Sequence, residues 1–163
     1  MMGLEDQAEL NQWLQTAQII QVFHRYFRAL DEQNFDGAYF EQIFTHDAKV
    51  VRPHGEVMVG PHAIARSHSQ SFARFKGSQH LLTGHDVTIT EDTATIRANL
   101  VAIHLWKDKP AGASMMESSF TAGGVVTADL IHTPGGWRIA RTENRVLWRL
   151  GDFGNMLQTG QER

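Results

Sequence analysis

The chain has 163 residues, 42% hydrophobic and 20% charged, which suits one compact domain with a single substantial core. Its 18 acidic and 15 basic side chains leave a formal charge of −3, so it offers no broad cationic surface for phosphates, and nucleic acid is not an expected partner. The absence of cysteine excludes disulfides, thiolate metal sites and a cysteine nucleophile, whereas nine histidines leave proton transfer and imidazole metal ligation as available chemistries.

The segment Met1 to Asp6 is polar and acidic where a secretory signal would be basic and then apolar, and no apolar run approaches the ~20 residues of a membrane span. A cytoplasmic protein with no membrane contact is the expectation. From Leu10 to Leu30, the residues Leu14, Ile19, Val22, Phe23, Tyr26 and Leu30 form one apolar stripe, opposed by Gln15, Gln18, Gln21, Arg25 and Arg28. This pattern predicts an amphipathic helix of about six turns. After Asp31-Glu32-Gln33-Asn34, the residues Phe35, Ala38, Tyr39, Ile43 and Phe44 predict a second helix ending near Thr45-His46-Asp47.

Lys49 to Arg52 and Glu56 to Val59 flank Pro53-His54-Gly55, a strand–turn–strand pattern. Gly60-Pro61 then opens a third helix running to about Phe75. The remainder reads as strand. Val87 to Thr90 and Ala94 to Val101 form a hairpin, a polar excursion covers Lys107 to Ser114, and two long strands, Phe120 to Ile131 and Trp137 to Trp148, are joined by Thr133-Pro134-Gly135-Gly136. Helices early and long strands late define an α+β fold, in which a curved, cone-forming sheet packs one face on three N-terminal helices. One domain over residues 1–163 is expected, with a core from about 10 to 150 and a tail or lid from 151 to 163.

The histidines divide by position. In the strand containing Leu100, Ala102, His104 and Trp106 both faces are apolar, so His104 is enclosed, either as a satisfied core histidine or as a polar group aimed into a ligand cavity. His80 and His85 lie five residues apart and point to opposite faces of a regular strand unless a bulge intervenes at Gly84, which disfavours a shared metal. Asp31 follows the first helical stripe and either meets water or accepts a bond from an imidazole at the rim of the core. His46, His54, His62, His68 and His132 fall in predicted helices or turns and read as solvated. Gly123-Gly124 within a strand reads as a bulge or bend. No nucleotide-binding, nucleophile-elbow or metalloprotease motif occurs, and no spacing favours a metal site.

Several segments together resemble a known family. Tyr26 to Asp31, Phe44 to Ala48, Gly60 to Ile64, Gln79-His80-Leu81, Thr93-Ala94-Thr95 and Gly136 to Ile139, in this order and spacing, resemble the SnoaL-like polyketide cyclase group. That group belongs to the nuclear transport factor 2-like (cystatin-like) superfamily of cone-shaped α+β barrels, with scytalone dehydratase, ketosteroid isomerase and bile-acid 7α-dehydratase. The resemblance covers residues from about 10 to 150. It implies that Asp31 orients His80 as a general base, and that His104 occupies the place of a second strand histidine. It also implies that Asp129 stands where scytalone dehydratase has a substrate-holding Asn, and that Leu150 to Phe153 begins a segment closing over the pocket.

Such chemistry needs no metal and no organic cofactor. A base of moderate pKa removes a proton beside a carbonyl, its partner carboxylate fixes the imidazole tautomer, and a second polar group, His104 or Tyr26, assists departure or polarises the carbonyl. Phe23, Phe27, Leu100, Trp106 and Val126 would desolvate the site and suit a flat apolar aromatic, polyketide or steroid-like substrate. The expected activity is therefore that of a dehydratase, isomerase or cyclase. Two alternatives are a non-catalytic small subunit of an aromatic-ring dioxygenase and a binding protein for an apolar metabolite. A homodimer or homotrimer is expected, formed through the apolar second face of the 94–106 strand, Val101, Ile103 and Leu105.

Overall fold

The computed structural model describes residues 3–154, with the side chain of Leu4 left aside. A long helix, α1 (Leu4–Asp31), is followed by the short α2 (Gly37–Glu41), strands β1 (Phe44–Val51) and β2 (Val57–Val59), and α3 (Pro61–Phe72). Strands β3 (Phe75–Thr90) and β4 (Thr93–Trp106), the single turn α4 (Met115–Ser118), and strands β5 (Ser119–Thr133) and β6 (Gly136–Gly151) complete the described chain. The six strands form one curved, unclosed sheet in the order β2-β1-β6-β5-β4-β3, antiparallel except where β1 runs parallel to β6.

The core lies between the inner sheet face and the helices. Ile19, Val22, Phe23, Tyr26, Phe27 and Leu30 recur at three- and four-residue spacing, so one stripe of α1 is buried. Ile64, Ala65, His68 and Phe72 do the same for α3. Along β4, Ala94, Ile96, Ala98, Leu100, Ala102 and His104 are buried in strict alternation with more exposed neighbours.

Several expectations need correction. Helix α1 begins at Leu4, and Leu14, placed in the buried stripe by periodicity, is 56% exposed, because this end of the helix has no packing partner among the described residues. The second helix is only five residues long, and Thr45-His46-Asp47 belongs to β1, whose Phe44 pairs with Ile139. Here pairing with β6 overrides local helical spacing. Helix α3 stops at Phe72, and β3 is continuous from Phe75, with its register broken between Thr83 and Asp86. His68 is not solvated: it lies on the buried face of α3.

Candidate active site

Helix α1 ends in a Schellman motif. Gln33 adopts φ 52°, its N–H bonds to the Leu30 carbonyl, and the Asn34 N–H bonds to the Ala29 carbonyl. Asp31 is thereby fixed as the last residue of the helix. A carboxylate is disfavoured there by the negative end of the helix dipole. Two hydrogen bonds from one residue offset that cost: His80 Nδ1–H donates to Asp31 Oδ1 at 2.6 Å, and the His80 backbone N–H donates to Oδ2 at 2.9 Å.

Because an ionised carboxylate only accepts, Nδ1 carries the hydrogen and Nε2 of the neutral ring presents a lone pair. Nε2 forms no hydrogen bond among the described residues. The His80 side chain is 6% exposed and that of Asp31 25%, so the pair lies at the inner edge of the core.

His104 stands across from this pair, its ring centroid 5.4 Å from that of His80 in an edge-to-face arrangement. It is held between Phe75 at 4.7 Å and Phe120 at 4.6 Å, with Phe72 at 5.5 Å. Burial, and secondarily the neighbouring His80, lower its pKa to about 3, and its Nδ1 is buried with no partner among the described residues. Trp106 joins the same aromatic group through Phe75 and Phe120, and Phe27 packs 5.4 Å from the His80 ring. The sequence-predicted residues Asp31, His80, His104, Phe27 and Trp106 therefore converge.

Others do not. The Tyr26 hydroxyl lies 2.9 Å from His68 Nε2, and burial pushes its phenol above the usual range, so it belongs to a second buried pair one layer away. Burial also lowers the His68 pKa to about 3, assisted by Arg52. Phe23, Leu100 and Val126 are core residues, with Phe23 stacked edge-on to Phe27. Asp129 is exposed between buried Ala128 and Leu130, so it points away from the interior. The expectation that it holds substrate is overturned by strand alternation.

His85 lies on the same side as His80, contrary to a regular two-residue period. Gly84 at φ 62° and the register shift around it form the bulge that returns His85 to α1, where its Nε2 lies 2.8 Å from that of His24. Gly123-Gly124 also coincides with a register shift, between β5 and β6. Phe72, Phe75 and Phe120, which enclose His104, escaped sequence reasoning. The recurrence of aromatics at the helix–strand junction Phe72 to Phe75 was the available signal.

Neither the surface cavity of about 570 Å³ nor that of about 560 Å³ is lined by Asp31, His80 or His104. Aromatic rings flank the dyad, Phe27 at 5.4 Å and Phe72 at 6.2 Å from the His80 ring. Gly151 to Gly154 packs on the aromatic group around His104: the Trp106 Nε1–H donates to the Asp152 carbonyl at 2.7 Å, and Phe153 packs 4.5 Å from Phe120. The rest of the expected lid, residues 155–163, lies outside the described residues. Among those residues no group of three or more His, Cys, Asp or Glu side chains could hold a metal ion, and no helix is long and apolar enough to cross a membrane.

The SnoaL-like domain profile matches residues 11–143, and the chain belongs to that family. Its fold is that of the nuclear transport factor 2-like superfamily. Among solved structures, the Kfla4162 protein of Kribbella flavida superposes with a TM-score of 0.74 at 26% identity, covering 82% of this chain and 90% of its own. LinA superposes with a TM-score of 0.73 at 14% identity, over 90% of this chain and 95% of its own. A candidate scytalone dehydratase from Novosphingobium aromaticivorans gives a TM-score of 0.71 at 16% identity, over 88% and 95%. At the identities of these last two, the likeness is one of fold. No curated protein matches the chain by sequence.

Proposed function

We propose that the chain is a cofactor-independent dehydratase or isomerase acting on a small, flat, apolar substrate. The observation that carries this reading is the double hydrogen bond from His80 to the Asp31 carboxylate, which fixes the ring and leaves Nε2 as a base. In this reading His80 Nε2 takes a proton from carbon beside a carbonyl, and Asp31 stabilises the imidazolium that forms. In an elimination, the electron pair of the broken C–H bond forms the new double bond, the C–O bond breaks, and the imidazolium returns its proton to the departing hydroxide as water. In an isomerisation the same proton returns to a different carbon.

His104 acts differently from an acid. With its pKa near 3 it is neutral at ordinary pH, and a neutral imidazole still donates one N–H hydrogen bond. Its role is to polarise the carbonyl, as a fixed dipole in a dry site. The flanking rings Phe27, Phe72, Phe75, Phe120 and Trp106 match a flat apolar body and exclude water. Tyr26, paired with His68, positions the helix rather than touching substrate. The Kribbella, LinA and scytalone dehydratase likenesses support the fold on which this chemistry is placed.

The test is exchange of α-protons for solvent deuterium, followed by NMR, across a panel of aromatic and polycyclic β-hydroxy ketones and β,γ-enones. His80→Ala and Asp31→Asn are each expected to lower exchange and turnover by about 10²-fold or more. Full turnover in either variant would show that the dyad is not the base. Saturable binding of the whole panel with no exchange would favour the binding-protein alternative.

A further inference from the structure

The cavity of about 570 Å³ lies between α1 and the β5–β6 turn, away from the proposed dyad, and nothing in that mechanism uses it. Its α1 wall runs from Gln18 to Arg25, about 20 to about 9 Å along the helix from Asp31, and its lining includes neither Asp31 nor His80. Two guanidinium groups line it, Arg25 from α1 and Arg138 from β6. Arg138 donates from Nη1 to the Trp137 carbonyl at 3.0 Å, but among the described residues neither arginine has a carboxylate within 4.0 Å. The one acidic side chain in the lining, Asp92, lies 3.9 Å from His132 Nδ1.

Both guanidiniums are partly buried, and burial together with the charge of Arg25 holds the Arg138 pKa below its usual range. Arginine does not escape such repulsion by losing its proton in a protein. Two like charges line one cleft with no carboxylate within 4.0 Å of either, which favours an anion there, and planar forks suit a carboxylate. The rest of the lining is amphipathic. Gln18 and Gln21 supply amides, while Val22, Pro134 and Trp137 supply an apolar wall. Trp137 is 2% exposed, and its indole N–H is buried without an acceptor among the described residues.

We infer that this cleft binds a small organic carboxylate, with its charge between Arg25 and Arg138 and its apolar body against Trp137 and Val22. The site is separate from the Asp31–His80 dyad and does not depend on the reaction proposed there.

The experiment titrates the full chain with sodium benzoate and, in a second arm, inorganic phosphate at constant ionic strength. The indole N–H resonances are recorded by NMR, and that of Trp137 is identified by its loss in Trp137→Phe. Saturable displacement of the Trp137 resonance by benzoate is expected, weakened tenfold or more in Arg25→Gln and in Arg138→Gln. Arg25→Lys, which keeps the charge and loses the fork, is expected to fall between wild type and Arg25→Gln, and circular dichroism checks that each variant is folded. His80→Ala should leave the titration unchanged. The proposal is overturned by a non-saturating response, by equal affinity in wild type and the glutamine variants, by saturation with phosphate alone, or by loss of the Trp137 response in His80→Ala.

Discussion

At the scale of single residues, His104 is placed against the interest of stability. An imidazole wedged between Phe75 and Phe120 with an orphaned Nδ1 gives up the hydrogen bond that water would have supplied. His104→Phe is therefore expected to unfold at equal or higher urea concentration than wild type. If His104 polarises the substrate carbonyl, the same variant loses about 10²–10³ in turnover, the cost typical of removing one such donor. His68 and His104 also make stability depend on pH. Burial takes each imidazole from its ordinary value of 6.5 down to about 3 in the folded protein. Between these values the unfolded chain binds more protons, so this part of the stability is complete above about pH 6.5 and is lost as pH falls toward 3. Each histidine adds a slope of up to about 1.4 kcal/mol per pH unit in that window. Urea titrations at successive pH values should show the slope, and His104→Phe should reduce it.

At the scale of elements, irregularities in strands decide which side chains meet the helices. The Gly84 bulge brings His85 onto the face of β3 that carries His80, so α1 meets both, Asp31 with His80 and His24 with His85. Periodicity assigned His80 and His85 to opposite faces because it assumes an unbroken two-residue repeat. The glycine at position 84 was the one hint in the sequence, and a bulge is confirmed only by the partner strand. Gly124 has a similar place in β5, where an added Cβ would stand 2.1 Å from the Arg145 carbonyl oxygen. Gly124→Ala is expected to cost about 1–3 kcal/mol, read from the urea midpoint, because backbone on the paired strand must move. Asp31, by contrast, was legible as a carboxylate at the last turn of a helix. Nothing local favours it there, and its partner lies 49 residues away in β3.

At the scale of the whole molecule, the outer sheet face is the unfinished surface. Leu81, Val101, Gly123 and Trp148 are cross-strand neighbours in one row, and Gln79, Ile103, Thr121 and Leu150 form the next. Leu81, Trp148 and Leu150 are 45%, 47% and 53% exposed, and Trp148 lies over Gly123, whose missing side chain gives it room. A contiguous apolar patch of this kind is expected to mediate self-association. Light scattering should give a multiple of the chain mass for wild type and the single-chain mass for Trp148→Glu combined with Leu150→Lys. A wild-type monomer at micromolar concentration would remove the expectation.

Sequence alone determined the fold class and the order of its parts, because helical stripes and strand alternation are local patterns that any burying partner will satisfy. It also singled out Asp31, His80 and His104 as residues of unusual placement. Tertiary structure decided what those patterns could not carry. It set the start of β1 through pairing with β6, the exposure of Asp129, the burial of His68 against Tyr26, and the aromatic enclosure of His104. It also juxtaposed Arg25 and Arg138. Each of these depends on contacts between residues distant in the chain, and a one-dimensional period does not record which face meets which neighbour.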